Sequence, residues 1–338
     1  MSGMYPVTSL RRVMRSTPAE HGACEAPAGI MNASVLIVTF RNPDLTAACL
    51  RSVLAETDGP SEVIVVDNAS DDGTPDMVAR DFPEVRLIRS PENLGFARAN
   101  NLAAREARGE QLILLNPDTV VHDHALDRLV RFSRERQRPG LTGGRTLRPS
   151  GELDPSSCWG TMSLWSLTCF ATGLSTLARR SAWLDPESLG RWQRDSVREV
   201  GVVTGCLLAV PRRVWDQLGG FDERFFMYGE DADLSIRAAA AGYTPMITPE
   251  ATITHVVGAS SSNKAAKAER VLQSKVTLVR KHWKGPKRRF GLLLLTAGAG
   301  ARALGSRLLG RGATWVEVWA ARDRWQRGFP DVKVDGRP

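Results

Sequence analysis

The chain has 338 residues and a mass of 37.0 kDa, room for one large α/β domain or two modest ones. Charged residues make up 24% and hydrophobic residues 42%, which excludes a mostly disordered, collagen-like or repeat-dominated chain. The net charge of +8 is unevenly spread: from Lys264 to the end there are 18 Lys and Arg against 5 Asp and Glu, so the body before it is mildly acidic. The five cysteines, Cys24, Cys49, Cys158, Cys169 and Cys206, are odd in number and irregularly spaced, with no Cys-x-x-Cys. That excludes a secreted disulfide framework and a zinc ribbon, and points to a reducing, cytosolic-side protein.

Residues 1–30 hold Arg11, Arg12 and Arg15 but no apolar run of signal-peptide length, and Pro18, Gly22, Pro27 and Gly29 predict a disordered extension or an alternative start. Regular patterning begins after Met31. Ser34–Phe40 is a short β-branched apolar run that reads as a buried strand. Leu45–Glu56 has apolar residues at helical spacing, and Glu62–Asp67 reads as a second strand ending in Asn68-Ala-Ser-Asp-Asp-Gly73. Thr74–Asp81 predicts a helix, Val85–Arg89 a third strand, Asn101–Arg108 a helix and Gln111–Leu115 a fourth strand ending in Asn116-Pro-Asp118. Strands alternating with helices predict an α/β fold with a mostly parallel central sheet and flanking helices. In such sheets ligands bind beyond the carboxyl ends of the strands, where this chain places Thr39, Asp67, Asn68, Asn116 and Asp118.

The second half is less regular. Leu141–Arg148 is a candidate strand, and residues 152–200 carry Trp159, Trp165, Trp183 and Trp192 with few periodic signals. Val200–Val210 reads as one buried strand carrying Thr204-Gly205-Cys206, Arg212–Leu218 as a short helix, Leu234–Ala241 as a further helix, and Thr252–His255 as the closing strand. The chain lacks a Gly-x-Gly-x-x-Gly fingerprint after the first strand, a Gly-Lys-Ser/Thr phosphate loop and a Gly-x-Ser-x-Gly elbow.

Glu230, Asp231 and Asp233 lie within four residues at a predicted helix start. Acidic residues there can simply cap the helix, but Phe225, Phe226, Met227 and Tyr228 put them at an apolar edge, where a carboxylate can serve as a general base. Asp118 suits a hard divalent cation or a turn; His255 reads as a metal ligand or a satisfied buried histidine.

Taken together, Val35-Leu-Ile-Val-Thr-Phe40, Val63-Ile-Val-Val-Asp-Asn-Ala-Ser-Asp-Asp-Gly-Thr74, Asn93-Leu-Gly-Phe-Ala97, Leu114-Leu-Asn-Pro-Asp-Thr119, the Gly220–Leu234 stretch and His255-Val-Val-Gly-Ala-Ser260 form an ordered series. The series resembles the inverting glycosyltransferases of family 2, which have the GT-A nucleotide-diphospho-sugar transferase fold, and within them the bacterial rhamnosyltransferase-like branch. The resemblance runs from about residue 33 to about residue 285. It implies that Thr39, Asp67 and Asn68 hold the nucleotide base and ribose, with Asn93, Gly95, Asn100 and Asn101 lining the same donor pocket. Asp118 matches the last Asp of the family's Asp-x-Asp metal motif, with Asn116 in the first place, and His255 a position that completes coordination of Mg²⁺ or Mn²⁺. Asp231 matches the catalytic base; Glu230, Asp233, Arg237 and Gly205 would support that loop and the acceptor. The implied donor is a dTDP- or UDP-linked sugar, with rhamnose favoured by the branch, and the implied acceptor a glycan or lipid-linked glycan in envelope or exopolysaccharide synthesis. The implied division is a GT-A catalytic domain over 31–262, with a nucleotide-sugar-binding half at 31–135 and an acceptor-binding half at 136–262, followed by a basic tail at 263–338.

Two other classes fit less well. A nucleotidyltransferase would show a Gly-rich basic loop after the first strand, where Arg41-Asn-Pro-Asp44 stands, and a non-catalytic glycan- or membrane-binding module would not need Asp118, Asp231 and His255. The tail combines the apolar run Phe290–Ala301, too short to cross a bilayer, with Lys284, Lys287, Arg288 and Arg289 before it and Trp315, Trp319 and Trp325 after it. Basic residues with Trp predict a helix lying on an anionic membrane surface, and hence an enzyme peripheral to the inner face of the cell membrane. The alternative is a solvated tail that packs its Trp on the body. No recognised nucleic-acid motif accompanies the charge, so nucleic acid is not an expected partner.

Overall fold

The computed structural model describes residues 33–58, 61–256, 263–310 and 312–331; the predicted N-terminal extension and part of the His255–Ser260 motif lie outside them. The first half follows the βα pattern of the sequence: β1 (Ala33–Thr39), α1 (Pro43–Ala55), β2 (Ser61–Asp67), α2 (Thr74–Asp81), β3 (Arg86–Arg89), α3 (Gly95–Glu106), β4 (Gln111–Leu115), β5 (Thr119–Val121) and α4 (Ala125–Glu135). Every residue of β1 is buried, because both faces of the strand are covered. Val35 and Ile37 point into a core with α1, α2 and α4, through Leu50, Val78, Leu126 and Leu129. Leu36 and Val38 point the other way, into a core with Ala103 of α3 and, later in the chain, Val214 and Leu234.

The central sheet has the order β3-β2-β1-β4-β10-β6-β11-β5, with β8 (Arg198–Glu199) paired to β11. From β3 to β4 it is parallel. Beyond β4 it is mixed: β10 (Leu207–Pro211) runs antiparallel to both β4 and β6 (Thr142–Leu147), while β11 (Met246–His255) runs parallel to β6 and antiparallel to β5. Strands from both sides of residue 135 therefore join in one sheet. The order reverses beside β1, so the carboxyl ends of β1 and β4 open onto a crevice suited to a ligand.

Three elements differ from the sequence reading. The helix expected from Asn101 starts at Gly95, so Asn100 and Asn101 lie inside a helix whose alanines pack on the sheet. The single strand expected over Val200–Val210 is broken into β9 (Val202–Val203), which pairs with β7 (Cys158–Trp159), and β10, with a turn at Thr204–Cys206 between them. A Cβ on Gly205 would lie 2.8 Å from the Phe96 ring, so the turn is packed against α3 and only glycine fits without displacing the ring. The third difference is in the tail. α5 (Leu164–Thr172) and α6 (Leu174–Leu177) come from the Trp-rich stretch, and α7 (Arg212–Leu218) and α8 (Glu230–Ala240) follow. Then α9 (Lys264–His282), α10 (Gly285–Leu308), α11 (Thr314–Ala320) and α12 (Arg322–Trp325) build a helical cap. Its core joins Leu167 of α5 to Leu272, Val279, Trp283, Leu295 and Val318, and the tryptophans expected at a headgroup region are packed into it: Trp325 is buried, and Trp315 and Trp319 lie against the same cluster. The Trp325 indole donates to the Val318 carbonyl at 2.8 Å, which explains why a polar ring tolerates full burial. Among the described residues no helix is long and apolar enough to cross a membrane.

Candidate active site

The residues singled out in the sequence fall into three groups around the carboxyl ends of β1, β2 and β4. In the first, the Asp67 carboxylate is almost fully buried; its Oδ2 accepts from the Ser70 N–H at 3.0 Å, while Oδ1 has no partner. An acceptor buried without a donor is costly, so this oxygen suits a ligand N–H or O–H. Asn68 is occupied internally: its Nδ2 donates to the Asn93 Oδ1 at 3.0 Å and the Gly95 carbonyl at 3.3 Å, and its Oδ1 accepts from the Leu94 N–H at 2.7 Å. It shapes the loop before α3. The Thr39 hydroxyl is buried against Thr46 at 2.8 Å. Asn100 donates to the Phe96 carbonyl within its own helix. Asn101 brackets Phe221, donating to its carbonyl and accepting from its N–H, both at 2.9 Å, and so joins α3 to the loop before α8. Gly95 takes φ +76°, and a Cβ there would collide with the Phe226 carbonyl, so the same loop is pressed onto α3.

The second group lies where β4 and β11 end. His255 Nε2 is 3.3 Å from Asp118 Oδ1, and its Nδ1 is 2.6 Å from Asp154 Oδ2. Asp154 in turn accepts from Ser156, by backbone N–H at 3.2 Å and by hydroxyl. Burial opposes charge on His255, while the neighbouring Cys206 and the two carboxylates, Asp118 and Asp154, favour it; a cation held beside Asp118 would take the place of the Nε2 proton. A histidine whose far nitrogen is fixed by a carboxylate is oriented as metal-ligating histidines are, with Nε2 turned to the same point as Asp118. One carboxylate and one imidazole fit a divalent cation that takes its remaining ligands from a diphosphate or water. Asn116 contributes its backbone, donating to the Cys206 carbonyl at 3.1 Å and accepting from the Thr119 hydroxyl at 2.7 Å.

The third group is the first turn of α8. Asp231 is half-buried, and burial raises its carboxyl to about 6 even though the N–H groups of Ala232 and Gly205 hydrogen bond to it. The Ala232 bond is 2.7 Å. Glu230 is 4% exposed and its Oε2 has no partner; burial, and then the charge of Asp231, raise it well above the ordinary range. Asp233 is the opposite case. It is fully buried, which works against its charge, but His282 at 2.7 Å, Arg237 at 2.7 Å and Lys281 at 2.6 Å hold it below the usual carboxylate range. Arg237 also donates to the carbonyls of Leu218 and Gly220, and Lys281 reaches Asp222 at 2.6 Å.

Sequence reasoning missed Asp154, Ser156, Asp222, Lys281 and His282. Asp154 is 101 positions from the histidine it holds, and no local pattern connects them. Lys281 and His282 stand just before the basic residues at 284–289, and only the fold brings them to Asp233.

A switch-point crevice in a 3-2-1-4 half-sheet, continued by mixed strands and flanked by helices, is the architecture of the GT-A glycosyltransferases. The glycosyl transferase family 2 description matches residues 34–168, and the glycosyl transferase family group 2 description residues 162–327. An N-acetylglucosaminyl-diphospho-decaprenol L-rhamnosyltransferase of Mycobacterium tuberculosis is 31% identical over 238 residues, covering 65% of this chain and 75% of that one. The O-antigen biosynthesis protein RfbC of Myxococcus xanthus is 31% identical over 235 residues, 67% of this chain and 17% of that one. A mannosyltransferase of Pyrobaculum calidifontis, solved in complex with GDP-Man and Mn²⁺, has the same fold with a TM-score of 0.55 at 20% identity, over 95% of this chain and 94% of that one. The chain belongs to glycosyl transferase family 2, in its rhamnosyltransferase-like branch.

Glu230 generates a pH-dependent stability. Its folded-state pKa lies above the unfolded value of about 4.3, so its contribution is fully present below that pH and is lost as pH rises through the folded pKa. Glu230→Gln removes this loss. Melting temperatures of variant and wild type measured from about pH 5 to about pH 8 are expected to diverge in the variant's favour as pH rises; a gap that stays constant with pH contradicts the assignment.

Proposed function

We propose that the chain is an inverting, metal-dependent glycosyltransferase that moves a sugar from a dTDP- or UDP-linked donor to a hydroxyl of a lipid-linked glycan. The observation that carries this reading is Asp231, a carboxylate raised to about 6 on the rim of the crevice. A base must be ionised near neutral pH yet basic enough to take a proton, and that value serves both. Asp231 takes the proton of the acceptor hydroxyl as its oxygen attacks the anomeric carbon. A single displacement from the far side inverts the configuration and needs no protein nucleophile. Asp67 supports the nucleotide through its free oxygen, and Asn68 fixes the loop that borders it. Asp118 and His255 would hold Mg²⁺ or Mn²⁺, with Asn116 bordering that corner. The cation supplies, when bound, positive charge against the departing nucleoside diphosphate. Rhamnose as the sugar and a lipid diphosphate as the acceptor are supported by the name of the mycobacterial relative.

A peripheral site at the inner face of the cell membrane is supported by α10 rather than by the tryptophans. Phe290, Leu293, Ala297, Ala301, Leu304 and Leu308 recur at helical spacing and are all exposed. Lys284, Lys287, Arg288 and Arg289 are exposed at the same helix's start, and Arg307 at its end. An apolar stripe bordered by cations matches an anionic lipid surface.

Asp231→Asn is expected to lower kcat by roughly 10²–10⁴-fold while nucleotide affinity is kept, and the wild-type rate is expected to fall below about pH 6 as the base protonates. Turnover by the pure variant at the wild-type rate removes Asp231 as the base. For α10, the double substitution Leu293→Glu with Leu304→Glu is expected to abolish salt-sensitive co-sedimentation with phosphatidylglycerol vesicles. If the variant pellets as the wild type does, or if it changes the oligomeric state instead, the stripe faces something other than lipid.

A further inference from the structure

A cavity of about 360 Å³ lies between residues 153–159 and 175–194, outside the three groups described above. That volume is at the low end for small-ligand pockets. Four arginines line it, Arg179, Arg180, Arg191 and Arg194, against one acidic residue, Asp185, whose carboxylate accepts from the Arg180 backbone N–H at 3.2 Å. Among the described residues, Arg179, Arg180 and Arg191 form no salt bridge although all three are exposed.

Arg194 makes this more than a basic surface. It is 1% exposed, yet no carboxylate among the described residues reaches it. Its guanidinium donates to the Trp192 carbonyl at 2.6 Å and the Ser188 carbonyl at 3.0 Å, and its Nε has no partner. A buried cation without a counter-charge is costly, and a bound anion removes the cost. Arginine clusters favour phosphate groups, which they grip through paired N–H donors.

The cavity's position gives the anion a role. Leu153, Pro155 and Trp159 line it, while Asp154 and Ser156, between them in sequence, face His255. One short segment therefore separates the arginine cluster from the proposed metal corner. On the other side, the stretch that supplies Arg179 and Arg180 also presents Leu177 at 85% and Trp183 at 69% exposure, and α10 is tied to it by the bond from Arg302 to the Thr176 hydroxyl.

We propose that the cavity binds the diphosphate of the acceptor, holding a lipid-linked sugar so that its hydroxyl extends past the 153–159 segment to Asp231. The proposal rests on the reading of the acceptor as a lipid diphosphate. Its chemistry, a diphosphate on arginines, can be tested without any transfer reaction. Calorimetric titration of the full chain with inorganic pyrophosphate, in excess chelator so that the metal corner does not contribute, is expected to show binding. The double substitution Arg179→Ala with Arg191→Ala is expected to weaken that binding at least tenfold, and Arg179→Lys with Arg191→Lys to restore part of it. Both side chains are exposed, and UDP binding checks that the variants are folded. Farnesyl diphosphate is expected to bind with the same arginine dependence, whereas sedimentation with phosphatidylglycerol vesicles is not, which separates a diphosphate site from general attraction to lipid headgroups. In steady state, KM for a lipid-diphosphate acceptor should rise at least tenfold in the alanine variant with a much smaller change in kcat. If pyrophosphate does not bind, or binds both proteins equally, the site is not as assigned. If pyrophosphate binding is lost in the variant but no lipid-linked acceptor is ever glycosylated, the anion site stands and the acceptor reading fails.

Discussion

The turn at Thr204–Cys206 is the constraint that ties the carboxylate–histidine corner to the carboxylate loop of α8. Its Gly205 N–H favours charge on Asp231, its Cys206 carbonyl accepts from Asn116, and the Cys206 sulfur lies beside His255. Thr204 donates through its hydroxyl to the Ser156 carbonyl at 2.8 Å, fixing the segment that carries Asp154. The turn sits between β9 and β10, and β10 pairs with β4 residue by residue from Leu207–Leu115 to Pro211–Gln111. The distance between the proposed base and the proposed metal corner is thus set by the sheet. Packing against Phe96 leaves no space for a side chain at residue 205, so the turn sits directly on α3. Pre-set geometry of this kind lets a site stabilise a transition state without reorganising when it forms.

A second constraint acts on the same carboxylates from behind. Asp233, buried and ionised, is satisfied by Arg237 from its own helix and by Lys281 and His282 from the end of α9. The helical cap is therefore coupled to the start of α8, and its first helix supplies two of the partners, Lys281 and His282, that keep the carboxylate loop in place. Removing one partner of such a buried cluster costs more than the pair contributes, because the remaining charge is left unmatched. One helix turn thus contains a carboxylate held ionised at Asp233 and two raised by burial at Glu230 and Asp231, and the difference lies in which of them meets cations. The raised pair offers chemistry, and the ionised one anchors it.

The sequence made the first half of the fold legible because its strands are short β-branched runs followed by Asn, Asp and Pro at each carboxyl end. Those punctuating residues are also where a parallel sheet places ligands, so the fold and the crevice were readable together. The second half was less legible for a physical reason. Its strands are two to six residues long apart from β11, and they pair across long sequence separations, as Cys158 does with Val203. Asp154 beside His255 and His282 beside Asp233 belong to the same class, since only the closed fold brings them together. The tail shows a different limit. Composition fixes its charge, but whether Trp325 faces lipid or a core depends on how α9 to α12 pack, and it faces the core. The exposed apolar surface of the tail lies instead along α10, at Phe290, Leu293, Leu304 and Leu308.

The central claim is that one carboxylate, Asp231, drives a single displacement with no covalent sugar–enzyme stage. Nuclear magnetic resonance of the first-formed product, from a donor of known anomeric configuration and an acceptor analogue carrying the diphosphate, tests it most directly. The account predicts a new glycosidic bond of configuration opposite to that of the donor. A product that retains the donor's configuration contradicts it, because one displacement from the far side of the anomeric carbon inverts that carbon.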